Sequence, residues 1–257
     1  MRILFIADVV GRCGVELLKS RLPSLKRKYG ADLTVVNGEN SAPGNGITEY
    51  EANALFAAGA DVISGGNHSF DRGDRELFEN PYILRPLNWN TDSGHGSVVY
   101  DAVRFKVGII SVSGAVNMMA KCENPFILAK NEALRLKSEA DTVIVDFHAE
   151  ASSEKRAMGF WLDGIATAVI GTHTHCQTND AEILENGTAF ISDAGFCGSL
   201  KSVLGVRPGE VLDRFANGGK QKLVQEDIPP YLINGVVIEC EKGKAVKIEV
   251  IKEIFDR

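Results

Sequence analysis

The sequence predicts an α/β fold built around mainly parallel strands. From Arg2 to Ser64, short apolar runs alternate with helical periodicity in the order strand, helix, strand, helix, strand, the order that crossover helices between parallel strands require. The runs ILFIA, LTVV and VIS are continuously apolar rather than alternating, as strands covered on both faces are. With no internal repeat, linker or charge block in 257 residues, one domain over 1–257 is expected.

The first strand, Arg2–Ala7, ends at Asp8. Apolar residues at 15, 18, 22, 25 and 29 predict a helix over Gly14–Tyr29, which Pro23 should kink or split. Leu33–Val36 is the second strand and runs into NGEN; Thr48 and Glu51 form a capping box that opens a helix to about Ala58. Asp61–Ser64 is a third strand, ending in GGNH. Within Asn88–Ser113, SVVYDAV and RFKVGIISV read as an antiparallel hairpin. A helix over Pro125–Lys137, a strand over Asp141–Phe147, a helix over Ser152–Trp161 and a strand over Ala166–Gly171 running into THTH follow. An Asn186-Gly187 turn precedes a strand at Phe190–Asp193, and Gly235–Glu241, a KGK turn and Ala245–Ile254 make a closing hairpin.

Lys plus Arg number 28 against 34 Asp plus Glu, a net charge of −6. That balance argues against a broad grip on nucleic acid or anionic lipid while allowing a small anionic substrate. Five scattered cysteines without a CxxC pair fit reduced thiols and a cytoplasmic setting. Asp8 interrupts the first apolar run too early for a signal peptide. The charge-free stretch Gly164–Asn179 is shorter than the ~18 apolar residues of a membrane helix.

Five of these strands end in metal- or proton-competent groups: Asp8; Glu39 and Asn40; Asn67 and His68; His148; His173 and His175. In an open parallel sheet the ligand crevice lies at the carboxyl ends of the strands, so these groups should converge. Singly they are ambiguous. Asp8 alone reads equally as a helix cap, NGEN as turn chemistry, and Asn67-His68 as a satisfied polar pair. His173-x-His175 is the stronger signal, since two imidazoles so spaced suit a metal better than packing. Together the donors exceed what one tetrahedral site uses, which argues for two ions sharing a carboxylate and clamping a phosphoryl displacement. Donors without thiolate favour manganese, iron or zinc.

In this order, GNH, a lone strand-end His and GTHTH after an acidic strand end resemble the calcineurin-like metallophosphoesterases, whose pattern is DxH, GDxxD, GNHD or GNHE, H, GHxH. The chain departs from it twice, with Asp8-Val9-Val10 for DxH and Gly38-Glu39-Asn40 for GDxxD. Those departures, with DVVG, NGENS, GGNHSFD, DFHAEASSEK and GTHTHCQTND, resemble the YmdB-like branch, bacterial phosphodiesterases of cyclic nucleotides, over essentially the whole chain. The resemblance implies a metallophosphoesterase-type sandwich of two mixed β-sheets flanked by helices. It implies that Asp8, Asn40 and His175 hold one ion, that Asn67, His148 and His173 hold the other, and that Glu39 bridges them. His68 would be the general acid beside an attacking metal-bridging hydroxide, on a substrate of the 2′,3′-cAMP or 3′,5′-cAMP type. Iron or manganese is the expected metal pair, with zinc and magnesium as alternatives.

Gly195–Gly205, carrying Phe196 and Lys201, is the candidate lid or substrate wall. Asp146, Glu150 and Asp193 are candidates to orient ligating imidazoles. Ser152 and Ser153 read as helix caps, Cys176 as a bystander, His95 as an exposed loop residue, and PGNG, lacking Lys-Ser or Lys-Thr, as no P-loop. Two rivals keep the same residues: a phosphomonoesterase or 5′-nucleotidase on the same dinuclear site, and a metal-binding regulatory protein with incidental turnover. A metal-free nucleotide binder is a third. The sequence leaves oligomeric state open, a homo-oligomer included.

Overall fold

A computed structural model describes residues 1–118 and 122–256. Its first half contains β1 (Arg2–Ile6), β2 (Asp8–Val9), α1 (Gly11–Tyr29), β3 (Leu33–Asn37), α2 (Glu49–Ala58), β4 (Val62–Ser64), β5 (Ser97–Asp101) and β6 (Lys106–Ser113). Then come α3 (Pro125–Lys137), β7 (Thr142–His148), α4 (Ser152–Trp161), β8 (Ala168–Thr172), β9 (Glu182–Ile183), β10 (Ala189–Ile191) and β11 (Phe196–Ser199). The chain ends in α5 (Pro208–Asn217), β12 (Tyr231–Glu241) and β13 (Lys244–Phe255).

These elements form four layers, two helical and two of mixed sheet. One sheet runs β2-β11-β12-β1-β3-β4, with β13 also on β12. β1, β3 and β4 are parallel, and β12 lies antiparallel to β1 and β13. The other sheet runs β5-β6-β7-β8-β10-β9, parallel from β6 to β10 with antiparallel edges. Strand periodicity explains why apolar residues fill both faces. Ile3, Phe5, Leu33 and Val35 of the first sheet meet Ile109, Ile144, Ile170 and Ile191 of the second. The alternate positions Leu4, Ile6 and Val36 face Leu18 and Leu22 of α1 and Leu55 of α2. Val143, Val145 and Phe147 face Ala133 and Leu136 of α3 and Met158 of α4. The expected sandwich of two mixed sheets flanked by helices is therefore observed.

Local expectations hold with some corrections. The Thr48–Glu51 capping box opens α2, and the two hairpins pair antiparallel as read. Pro23 neither splits α1 nor ends it: the helix runs unbroken to a left-handed cap at Gly30. Pro23 lies on the exposed face, where water can replace the ladder bond it lacks. α1 also starts earlier than its periodicity implied, at Gly11. Ser152 and Ser153 do not cap α4; they are exposed in its first turn, and the cap residue Ala151 offers no side-chain bond. Glu154 instead accepts the backbone N–H groups of Ala115 and Val116. The short β2, β9 and β11 carry too little periodicity to be read from sequence, whereas α5, an amphipathic helix opened by Pro208, was readable and was not anticipated.

Candidate metal centre

The strand ends converge where the two sheets meet. Asn37 Nδ2 and Ser64 Oγ of the first sheet both donate to Asp146 of the second, the former at 2.8 Å, tying the ends of β3, β4 and β7 together. Backbone bonds from Val10 to Cys197 and from Gly11 to Asn40 draw the Asp8 and Asn40 segments onto β11 and each other. Asp8, Glu39, Asn40 and His148 are thereby buried at the junction.

Each of three imidazoles has its outer nitrogen held by an acceptor. Thr172 Oγ1 lies 2.9 Å from His148 Nδ1, Glu150 Oε2 lies 3.1 Å from His173 Nε2, and the Leu204 carbonyl lies 3.0 Å from His175 Nδ1. An outer N–H fixes the tautomer and turns the other nitrogen's lone pair inward. His148 Nε2 then faces Asn67 Oδ1 at 2.9 Å, His173 Nδ1 at 3.1 Å and Glu39 Oε2 at 3.5 Å. His175 Nε2 faces Asp8 Oδ1 at 3.8 Å and Asn40 Nδ2 at 3.4 Å.

Such a gathering of lone pairs suits a cation and little else. Asp8 Oδ1 is buried without a hydrogen-bond partner, an arrangement that ordinarily costs ~1–3 kcal/mol or more for a charged group. Ligand atoms of Asp8, Glu39 and His175 lie within 4.8 Å of one another. Glu39 divides its oxygens, Oε1 toward Asn40 and Oε2 toward His148 and the His68 backbone N–H, so one carboxylate touches both donor groups. Asn40 presents its amide nitrogen to Glu39 and His175; a half-turn of the amide offers Oδ1 instead. Gly66 completes the cradle, since a Cβ there would stand 2.4 Å from His148 Nε2 and 2.6 Å from Glu39 Oε2.

Protonation follows from the same crowding. Burial, then the neighbouring Asp193, pushes Asp8 up to about 8; burial and Asp8 raise Glu39; burial lifts Asp146 to about 7 against the bonds it accepts. Burial first, and then neighbouring cations, lower His148, while burial lowers His173 and His175. Without a cation these carboxylates and imidazoles are driven toward neutrality, and a bound dication would reverse that preference for the carboxylates.

His173 and His175 both have positive φ, 98° and 59°. This region is sparsely populated by residues with a Cβ, and its cost must be offset nearby. The residue between them is pinned: Asp193 accepts Thr174 N at 3.0 Å and Thr174 Oγ1 at 2.7 Å, and is itself held by buried Lys155 at 2.7 Å. Asp8 Oδ2 accepts the His173 N–H at 3.3 Å.

His68 stands beside these donors rather than among them. Asp71 Oδ2 holds its Nδ1 at 2.7 Å, and Asn45 Nδ2 lies 3.3 Å from its Nε2. It shares a cavity of about 450 Å³ with Glu39, Asn40, His173 and His175. The two wall residues expected from sequence lie elsewhere. Phe196 is buried behind His175, its ring parallel to the imidazole at 5.8 Å between centroids. Lys201 is exposed and outside the cavity lining, which Val203, Leu204, Phe215 and Leu223 supply. Asp146 does orient a ligand-type imidazole, through Thr172, and Glu150 does so directly. Cys176 is exposed with a free thiol, and His95 is exposed in its loop. Sequence reading passed over Thr172, Lys155, Asn45 and Asp71; only Asp71 had a signal, its spacing after His68 in GGNHSFD.

A four-layer sandwich with carboxylate, amide and imidazole donors at converging strand ends defines the metallophosphoesterase type. The family model described as YmdB-like protein matches residues 4–251, and the chain belongs to that family. It is 38% identical over 258 residues to the Bacillus subtilis (strain 168) protein named 2′,3′-cyclic-nucleotide 2′-phosphodiesterase, covering 98% of this chain and 96% of that one. A crystal structure described as a novel phosphatase from Mycoplasma pneumoniae superposes with a TM-score of 0.93 at 34% identity, over 100% of this chain and 94% of that one. A hypothetical protein from Thermus thermophilus superposes at 0.90, also 34% identical, over 99% and 100% of the two chains. No helix among the described residues is long and apolar enough to cross a membrane.

Proposed function

We propose that the chain is a metal-dependent phosphodiesterase that opens 2′,3′-cyclic nucleotides, with 3′,5′-cyclic nucleotides as the less favoured substrate. The observation that carries the reading is the pair of donor groups sharing Glu39, Asp8–Asn40–His175 on one side and Asn67–His148–His173 on the other, with His68 beside them. The name borne by the Bacillus subtilis relative supports the cyclic-nucleotide class. Donors without thiolate suit iron or manganese, with zinc or magnesium as substitutes. Two ions held there would neutralise charge on the phosphoryl oxygens and make a water a strong nucleophile at neutral pH.

The protein's own groups do the rest. Asp71 accepts the His68 Nδ1–H, leaving Nε2 to carry a proton into the cavity. That proton goes to the ester oxygen as its bond to phosphorus breaks, which spares an alkoxide leaving group. Asn45 lies beside the same nitrogen, and a half-turn of its amide offers Oδ1 to accept the Nε2–H and steady the ring.

The test is the initial rate on 2′,3′-cAMP and on bis-p-nitrophenyl phosphate, with chelated protein before and after Mn²⁺ and with His68→Ala alongside. A rate that appears with Mn²⁺ and falls ~10²-fold or more in the variant, while bound metal stays near two ions per chain, is expected. Faster turnover of monoesters than diesters would move the site to a phosphomonoesterase. A cellular effect that survives His68→Ala would make turnover incidental to a regulatory role.

A further inference from the structure

The cavity is two-sided. One side presents Glu39, Asn40, His68, His173 and His175; the other is apolar, made by Val203, Leu204, Val206, Val211, Phe215 and Leu223. Phe215 on α5 is 82% exposed and Leu204 is 45% exposed. Together these side chains form a contiguous apolar surface beside polar groups, the pattern of a ligand-binding groove. Leu204 is held in place from the polar side: its φ is 54°, and its carbonyl accepts from His175 Nδ1 at 3.0 Å. The backbone that orients one imidazole therefore also sets the place of Leu204 in the apolar wall. At about 450 Å³ the space exceeds what a phosphoryl group needs and falls in the range of small-ligand sites.

We infer that Phe215 and Leu204 form the nucleobase subsite, with the Phe215 ring stacking on the heterocycle while the ester phosphate lies against the imidazoles and Glu39. This rests on the phosphodiesterase reading and adds to it which residues grip the substrate's base. Every base has a π-face, and Gln225, which also lines the cavity, has its amide engaged by the backbone of Asn40, Ala42 and Gly44. The subsite therefore favours a base over none without choosing strongly among bases.

Calorimetric binding of 3′-AMP, the ring-opened product, and of inorganic phosphate to Mn²⁺-supplemented protein tests this without relying on turnover. The wild type should bind 3′-AMP more tightly than phosphate. Phe215→Ala should reduce that preference about tenfold, and Phe215→Trp should restore it. Because Phe215 is exposed, these substitutions leave the core intact. A preference retained within twofold in Phe215→Ala, or absent from the wild type, overturns the inference. So does a solution mass, read by light scattering, that drops in Phe215→Ala while the preference holds, since the wall would then be a contact between copies. Phe215-dependent 3′-AMP binding in a protein that does not hydrolyse 2′,3′-cAMP would defeat the phosphodiesterase reading and leave the subsite standing.

Discussion

Thr172 Oγ1 lies 2.9 Å from Nδ1 of His148 and donates its own proton to Asp146 Oδ1 at 2.7 Å. A hydroxyl has one proton, so with that proton on Asp146 its lone pair accepts from the imidazole. His148 is thereby locked with Nε2 unprotonated and facing Asn67, His173 and Glu39. The buried carboxylate acts on the metal centre at one remove.

Thr172→Val, which keeps the shape and deletes the hydroxyl, releases that lock. Mn²⁺ affinity should fall about 10- to 100-fold, the usual effect of removing such an orienting partner. Nitrogen chemical shifts of the His148 ring should show mixed tautomers. Metal affinity equal to wild type, with the tautomer unmoved, would show that the hydroxyl orients nothing.

How much of this was legible in the sequence depended on range. The strand ends Asp8, Glu39, His148 and His173 could be read because each follows a continuous apolar run, and a parallel sheet places such ends together. Thr172, Lys155 and Asn45 could not, because their roles arise from contacts between segments far apart in the chain: Thr172 with Asp146, Lys155 with Asp193, Asn45 with His68. Lys155 in SSEK reads as an exposed helix residue; its burial against Asp193 is decided by where α4 crosses the second sheet. The apolar wall was legible only in part: Val203 and Leu204 fall within the expected segment Gly195–Gly205, but the residues singled out in it do not line the cavity, and Phe215 and Leu223 lie beyond it. Phe196 has the right composition but belongs to β11, which pairs with β2 and β12 and turns the ring behind His175.

Titration of the centre gives the metal-free protein a pH dependence. Asp8 sits at about 8 and Asp146 at about 7, against 3.8 ordinarily. The folded chain therefore holds protons that the unfolded chain has released, and stability falls as pH rises toward those values. The depressed imidazoles act the opposite way, costing stability only below their ordinary 6.5. Between pH 6.5 and 8 the carboxylates dominate. In chelator, the melting temperature should fall across that window, by an amount corresponding to about 2 kcal/mol from Asp8. Saturating Mn²⁺ should remove the slope. A chelated protein whose melting temperature is flat or rising from pH 6.5 to 8 contradicts this account.

The Lys155–Asp193 pair is buried on both sides, 2.7 Å apart. Lys155→Met strands a carboxylate, and Asp193→Asn strands an ammonium; each should cost about 3–5 kcal/mol by denaturant unfolding. The double variant should recover much of that loss, because neither charge is then unpaired. It should not recover full metal affinity, since the anchor on Thr174 between two positive-φ histidines is weakened. Additive losses in the double variant would mean that the pair does not act as a unit.

Gly66 separates the metal centre from the fold. Its φ is outside the left-handed region, so alanine is compatible with the backbone there. Its Cβ, however, would stand 2.4 Å from His148 Nε2 and 2.6 Å from Glu39 Oε2. His148 is held from behind by Thr172, and Glu39 by the His68 N–H at 2.8 Å, so neither retreats cheaply. The methyl displaces the inward lone pairs of the two groups on which the proposed second ion and bridge would depend. Gly66→Ala should therefore keep its circular dichroism and cooperative unfolding in chelator while losing Mn²⁺-dependent hydrolysis by ~10²-fold or more and binding at least one ion fewer. If the variant retains two ions and wild-type rates, the donors do not converge on the space beside Gly66, and the two-group arrangement around Glu39 is wrong.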